Sequence, residues 1–173
     1  HKGLYARKGP VRRGEVAEIG KAAIVRPGSD VTIVATLLMA RSLVFYRDGL
    51  GLEQEFDRIL DAPYVKTVLG LDFDHLRTVY LRIPGGGFVE LLEYVGVERM
   101  PAGSRPCDYG AGHLCLYVDD VETLHRRLVE LGFRARSADV VEITAGPNQG
   151  ARSCYMLDPD GYAVELFQKR PAA

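Results

Sequence analysis

The sequence predicts an α+β fold in which one β-α-β-β-β unit is written twice. Two observations predict it. The order of apolar patterns in residues 30–95 recurs in residues 112–168. Both halves also close on a glycine-led strand with a glutamate in its apolar middle, "GFVELLEY" (87–94) and "GYAVELFQ" (161–168). A Pro/Gly-rich linker, 96–111, separates the two modules. Residues 1–29 read as a basic arm or a remnant of an expression tag, and 169–173 as a tail.

The first module opens with a β-branched run, "VTIVAT" (31–36), which reads as a strand. A helix follows, because Met39, Leu43, Tyr46 and Leu50 recur every three or four residues and Gly51 supplies a stop. "LEQEFDRIL" (52–60), "LRTVYLRI" (76–83) and "FVELLEY" (88–94) are the remaining strands, the last two joined by a "PGGG" turn.

The second module opens with "GHLCLYV" (112–118), whose alternation fits a half-buried strand. Its helix carries a buried stripe of Val121, Leu124, Leu128 and Leu131 and ends at Gly132. Asp119 with Glu122 reads as its capping box, and "HRR" (125–127) as its solvated face. "FRARSADVVEI" (133–143) and "ARSCYMLD" (151–158) are strands, separated by the Gly/Pro/Asn loop of "TAGPNQGARS". That loop is either a plain connection or a rim that gates a cavity. In the "DPDG" turn Pro159 presets φ and Gly161 gives a left-handed exit to "YAVELFQ".

Composition narrows the function classes. The chain has 173 residues, 47% of them hydrophobic, enough for one domain or two small fused modules. A net charge of −1 offers no overall attraction to nucleic acid or anionic membrane. The arm is the exception: Lys2, Arg7, Lys8, Arg12, Arg13, Lys21 and Arg26 outnumber Glu15 and Glu18. No apolar run is long enough to cross a bilayer. Three widely spaced cysteines, Cys107, Cys115 and Cys154, do not make a disulfide framework, and a reduced cytoplasmic protein is expected.

The two glutamates carry the chemistry. On a strand, alternate side chains share a face, so Glu165 lies with Ala163 and Phe167, and Glu90 with Phe88 and Leu92. A carboxylate half-buried in apolar surroundings needs a cation, hydrogen bonds or a metal. Arg77, Arg82 and Arg152 are the arginines that could pair with them. A metal shared by the two acids is the other solution, because it cancels their repulsion. His113, with Cys115 and Tyr117 on its face, would stand beside Glu165 if the first and last strands of the module pair, about 4.8 Å apart. No Ser-His-Asp nucleophile arrangement and no phosphate-binding glycine motif is present.

The segments "SLVFYRDGLGLE", "GFVELLEY", "GHLCLYVDDVETLHRRLVELGF" and "YMLDPDGYAVELFQ" resemble the vicinal oxygen chelate superfamily. That group spans glyoxalase I, methylmalonyl-CoA epimerase, extradiol dioxygenases and bleomycin-resistance proteins, and the resemblance covers about residues 30–168. It implies two βαβββ modules forming a cupped, incompletely closed mixed β-barrel with the helices outside. It implies a divalent metal (Fe, Mn, Ni, Co or Zn) held by Glu90, His113 and Glu165. The family's remaining histidine falls on Val31, which cannot bind a metal, so Asp30, His75 or a partner chain would have to complete the shell. The resemblance further implies an isomerase or lyase of glyoxalase type. In it a small molecule chelates the metal through two oxygens and Glu165 or Glu90 moves a proton. The first alternative is a metal-free cup binding a small molecule or antibiotic, lined by Tyr80, Phe88, Tyr94, Tyr155 and Phe167. The second is an Fe(II) extradiol-type dioxygenase, which would need His75 as a second imidazole. A homodimer is expected in each case.

Overall fold

The computed structural model describes residues 39–100 and 104–171. The strand expected at 31–36, with Asp30 and Val31, therefore lies outside the described residues, as does the basic arm. The first described element is α1, Met39–Leu43, which runs on into a π-helical segment, Val44–Gly49. It ends as expected, with Gly51 at φ 75°. Strand β1, Glu53–Leu60, follows, then a short helix α2, Pro63–Leu69, which the apolar pattern did not disclose. Pro63 starts that helix and Gly70, at φ 65°, ends it. Strands β2, His75–Arg82, and β3, Phe88–Val95, complete an antiparallel sheet in the order β1-β2-β3.

The second sheet holds β4, His113–Tyr117, β5, Arg134–Ala135, β6, Val141–Glu142, β7, Arg152–Leu157, and β8, Ala163–Gln168. Its order is β4-β8-β7-β5, with β6 also on β7. The segment read as one strand, 133–143, is thus two two-residue strands with a bend between them. Strand β4 pairs with β8 in parallel, and the other pairings are antiparallel. The fold is α+β, with two open sheets and few helices.

Helix α3, Val121–Glu130, is capped by Asp120 rather than Asp119. The Thr123 backbone N–H donates to Asp120 Oδ1 at 3.0 Å, so the cap lies one residue later than the expected box. Val121 and Leu128 are fully buried, Leu124 half-buried and Leu131 exposed, so the stripe is narrower than its spacing suggests. Arg126 and Arg127 face solvent, whereas His125 is half-buried.

One core joins the two halves. Phe45 and Tyr46 pack with Val79, Leu81, Val89 and Leu91 of the first sheet and with Leu114, Leu116, Val164 and Leu166 of the second. Gly49 lets the helical segment approach α3 closely: a Cβ there would collide with the Leu128 side chain. The Tyr46 hydroxyl donates to Asp158 Oδ2 at 2.9 Å, both groups buried, and so ties the π-helical segment after α1 to the turn before β8. Asp158 Oδ1 meanwhile accepts from the Asp160 and Tyr162 backbone N–H groups, which shapes that turn.

Candidate functional site

The core takes one face of each sheet. In β4 the alternation sends Leu114 and Leu116 inward and His113, Cys115 and Tyr117 outward. The parallel register sets Cys115 opposite Glu165 and His113 opposite Ala163. Antiparallel β7 sets Tyr155 opposite Glu165 from the other side. Four polar side chains from three neighbouring strands therefore meet on one face.

Their geometry is compact. His113 Nε2 lies 3.3 Å from Glu165 Oε2. The Tyr155 hydroxyl donates to Glu165 Oε2 at 3.1 Å and lies 3.3 Å from His113 Nε2. The Ser153 hydroxyl donates to Glu165 Oε1 at 2.8 Å. One carboxylate oxygen is thus tied by serine, and the other faces imidazole and phenol. The Glu165 side chain is 16% exposed, so these bonds act in partial shelter from water.

Burial, reinforced by the Glu165 charge, raises the Tyr155 phenol above its ordinary value and pushes the Cys115 thiol up to about 11. At neutral pH both keep their protons. Tyr155 is consequently a hydrogen-bond donor, and Cys115 is not a thiolate nucleophile.

Glu90 occupies the equivalent position in the first sheet. Thr78 donates to Glu90 Oε1 at 3.1 Å, and Tyr80 stands directly across the strand pair. Thr78 and Ser153 each precede their glutamate by 12 residues. A Thr/Ser-x-Tyr on the penultimate strand and a glutamate on the last is therefore part of the repeat. The sequence displayed this signal, as "TVY" and "SCY", and the reading from the two glutamates alone missed the hydroxyls.

The arginines do not neutralise either acid. Arg77 pairs with Asp57 and Glu93, Arg82 with Glu55, and Arg152 with Glu122. The structure brings His113, Tyr155 and Glu165 together and does not bring Glu90 into that group. Among the described residues, no three His, Cys, Asp or Glu side chains stand close enough to hold an ion. His75 opens β2 opposite Val95, on the face away from Glu90.

The aromatic residues divide. Phe56 stacks on Tyr80 at 4.4 Å, and Phe88 lies 5.9 Å from Tyr80, forming a row beside Glu90. Tyr94 is buried 5.4 Å from Phe73 in a satellite cluster with Val65, Leu76 and Leu92, where burial and then Glu90 raise its phenol. Phe167 lies beyond Glu165, edge-on to Tyr117.

His113 and Glu165 fit two neighbouring ligand positions of a divalent ion. Ligands about 2.1 Å from a six-coordinate centre and at right angles lie about 3 Å apart, close to the separation seen here. A nitrogen and a carboxylate oxygen suit Mn, Fe, Co, Ni or Zn alike.

This architecture defines a class: small α+β proteins with two open sheets around one core and polar residues on the outward sheet faces. The chain belongs to the Glyoxalase/Bleomycin resistance protein/Dioxygenase superfamily, whose family model matches residues 30–166. It is 29% identical over 131 residues to a 2-epi-5-epi-valiolone epimerase from Actinomyces sp., spanning 73% of this chain and 71% of that protein. It is 29% identical over 136 residues to a probable chloroplastic lactoylglutathione lyase of Arabidopsis thaliana, but spans only 33% of that longer protein. Among solved structures, a glyoxalase family protein from Bacillus cereus superposes with a TM-score of 0.69 at 19% identity, covering 89% of this chain and 100% of that one. Glyoxalase I from Zea mays superposes with a TM-score of 0.60 at 20% identity, covering 84% of this chain and 45% of that one. At such identities the structures speak for the fold alone. No helix among the described residues is long and apolar enough to cross a membrane.

Proposed function

We propose that the chain is a metal-dependent isomerase or lyase of glyoxalase type that moves a proton on a small oxygen-bearing molecule. The observation that carries this reading is the 3.3 Å approach of His113 Nε2 to Glu165 Oε2, with the Tyr155 hydroxyl on both. Superfamily membership and the likeness to an epimerase and a lyase point the same way.

His113 and Glu165 would hold the divalent ion, with Glu90 joining them from a second copy in a homodimer. When bound, the ion supplies Lewis acidity to neighbouring substrate oxygens. Glu165 Oε2 would leave its ligand position, His113 staying in place, and take the proton from the carbon beside a substrate carbonyl. The C–H electron pair moves onto the carbonyl oxygen as an enolate. Tyr155, still protonated, turns its hydrogen bond from Glu165 to that oxygen. Glu165 then returns the proton to the adjacent carbon in an isomerisation, or to the same carbon in an epimerisation once the planar enolate has turned its other face towards it. Ser153 keeps Glu165 Oε1 out of this exchange.

A panel of small hydroxy-ketones and hydroxy-aldehydes in deuterated water tests the reading. The metal-loaded protein is expected to exchange the hydrogen beside the carbonyl, and Glu165→Gln to slow exchange at least about a hundredfold, the scale of a lost general base. Exchange unaffected by Glu165→Gln would refute it. The stack of Phe56 on Tyr80 favours a second reading, a metal-free cup that binds a planar molecule without turnover. Tight binding of such molecules with no exchange under any metal would select it.

A further inference from the structure

One strand repeat beyond Glu165 the same face opens into a cleft of about 260 Å³. Its lining includes Tyr117, Phe167, Lys169, Arg170 and, from the loop before β7, Pro147 and Asn148. The register places it: Cys115 pairs with Glu165, and Tyr117 with Phe167, on one face of β4 and β8. Two residues along a strand is about 7 Å, so the cleft and Oε2 of Glu165 lie within the span of one small molecule.

The lining has a definite chemical character. No acidic side chain borders it. Among the described residues neither Lys169 nor Arg170 forms an ion pair, whereas the strand arginines Arg77, Arg82 and Arg152 do. Lys169 rests its ammonium 4.3 Å from the Tyr117 ring centroid, which fixes the stem and leaves N–H groups for a ligand. Arg170 packs beside Gly150 of the loop before β7. The loop wall is firm: Ile143 and Ala151 bond across it, and Gly150 N–H donates to the Ile143 carbonyl at 2.8 Å. Two uncompensated cations at the mouth of an aromatic-walled cleft concentrate positive potential there. A guanidinium and an ammonium lining one cleft suit the oxygens of a carboxylate or phosphate.

We infer that this cleft binds an anionic group of the substrate, so that the natural substrate is a small oxo-acid or oxo-phosphate. Its charged end sits about 7 Å from the carbon that meets Glu165. The inference rests on the reading of Glu165 given above only for the second end of the molecule. The cleft itself is tested without metal or turnover.

The test is a titration of the full chain, metal-free, with phenyl phosphate, benzoate and benzyl alcohol, followed by protein NMR. Phenyl phosphate or benzoate is expected to shift Tyr117, Asn148 and Phe167, with benzyl alcohol about tenfold weaker or more, the loss of one charge-assisted bond. The tighter of the two anions assigns phosphate or carboxylate. Replacing both cations, Lys169→Ala with Arg170→Ala, is expected to weaken the anion about tenfold or more while the melting temperature holds. Lys169→Arg should retain most of the binding, and Glu165→Gln should retain all of it. Equal binding of the neutral alcohol, shifts outside the cleft, or no loss in the double variant overturns the inference. Binding in the cleft by a protein that shows no proton exchange would leave this inference standing and remove only the proposed reaction.

Discussion

Asp158 shows how one residue serves both the fold and its response to pH. Burial lifts its carboxyl to about 6, although the Tyr162 and Asp160 N–H groups and the Tyr46 hydroxyl pull the other way. In the unfolded chain the same group titrates near its ordinary value of 3.8. Between those two values the folded state holds the extra proton. The stability from this group is therefore complete below about 3.8 and is lost as pH rises through about 6. Asp48, Asp57 and Asp120, whose carboxyls are lowered by hydrogen bonds from Arg47, Arg77 and Thr123, work in the opposite direction, so the test must isolate Asp158. Asp158→Asn removes the titration and keeps an acceptor for the turn. The variant is expected to gain stability relative to the parent chain as pH rises from 4.5 to 7.5, read by thermal unfolding at each pH. A constant difference across that range would mean that the carboxyl does not titrate between the two states.

The strand pair is the scale at which the glutamates become a device. On β7 and β8 a hydroxyl fixes one carboxylate oxygen while a tyrosine faces the other, and β2 and β3 repeat the hydroxyl and the cross-strand tyrosine. Ser153→Ala should leave Glu165 free to rotate, lowering affinity for Co(II) about tenfold, the lower end of the range for a lost supporting bond at a metal site. Ser153→Thr should restore it. Calorimetric titration of the metal into each variant reads the difference, and equal affinities in all three proteins would leave Ser153 with a structural role only.

Much of this scale was legible in the sequence. Alternation in "GHLCLYV" gave the right face for His113, and the placement of Glu165 followed from the period of a strand. The helix α2 was not legible, because only Val65 of its apolar residues is buried while Tyr64, Val68 and Leu69 are exposed, so no stripe forms. The division of 133–143 was hidden for a related reason: its β-rich composition does not record that only two residues at each end pair with β7. Tyr155 stood among the candidate pocket residues for its ring, yet its hydroxyl is what reaches the site.

Across the whole molecule, the two sheets share a core and turn their glutamate-bearing faces away from it. That explains why Glu90 and Glu165 have like surroundings without meeting among the described residues. The shared core between α1, α3 and both sheets makes the halves one unit, so the position of each carboxylate is set by packing and not by a hinge. The account turns on His113 and Glu165 acting as a pair of ligands. A crystal structure of the protein grown with Mn(II) or Co(II), phased on the metal's anomalous signal, tests this most directly. The account predicts an anomalous peak about 2.1 Å from both His113 Nε2 and a Glu165 carboxylate oxygen, with Glu90 of a second copy close by. A saturating metal concentration that leaves those two side chains hydrogen-bonded only to each other and to Tyr155 would contradict it.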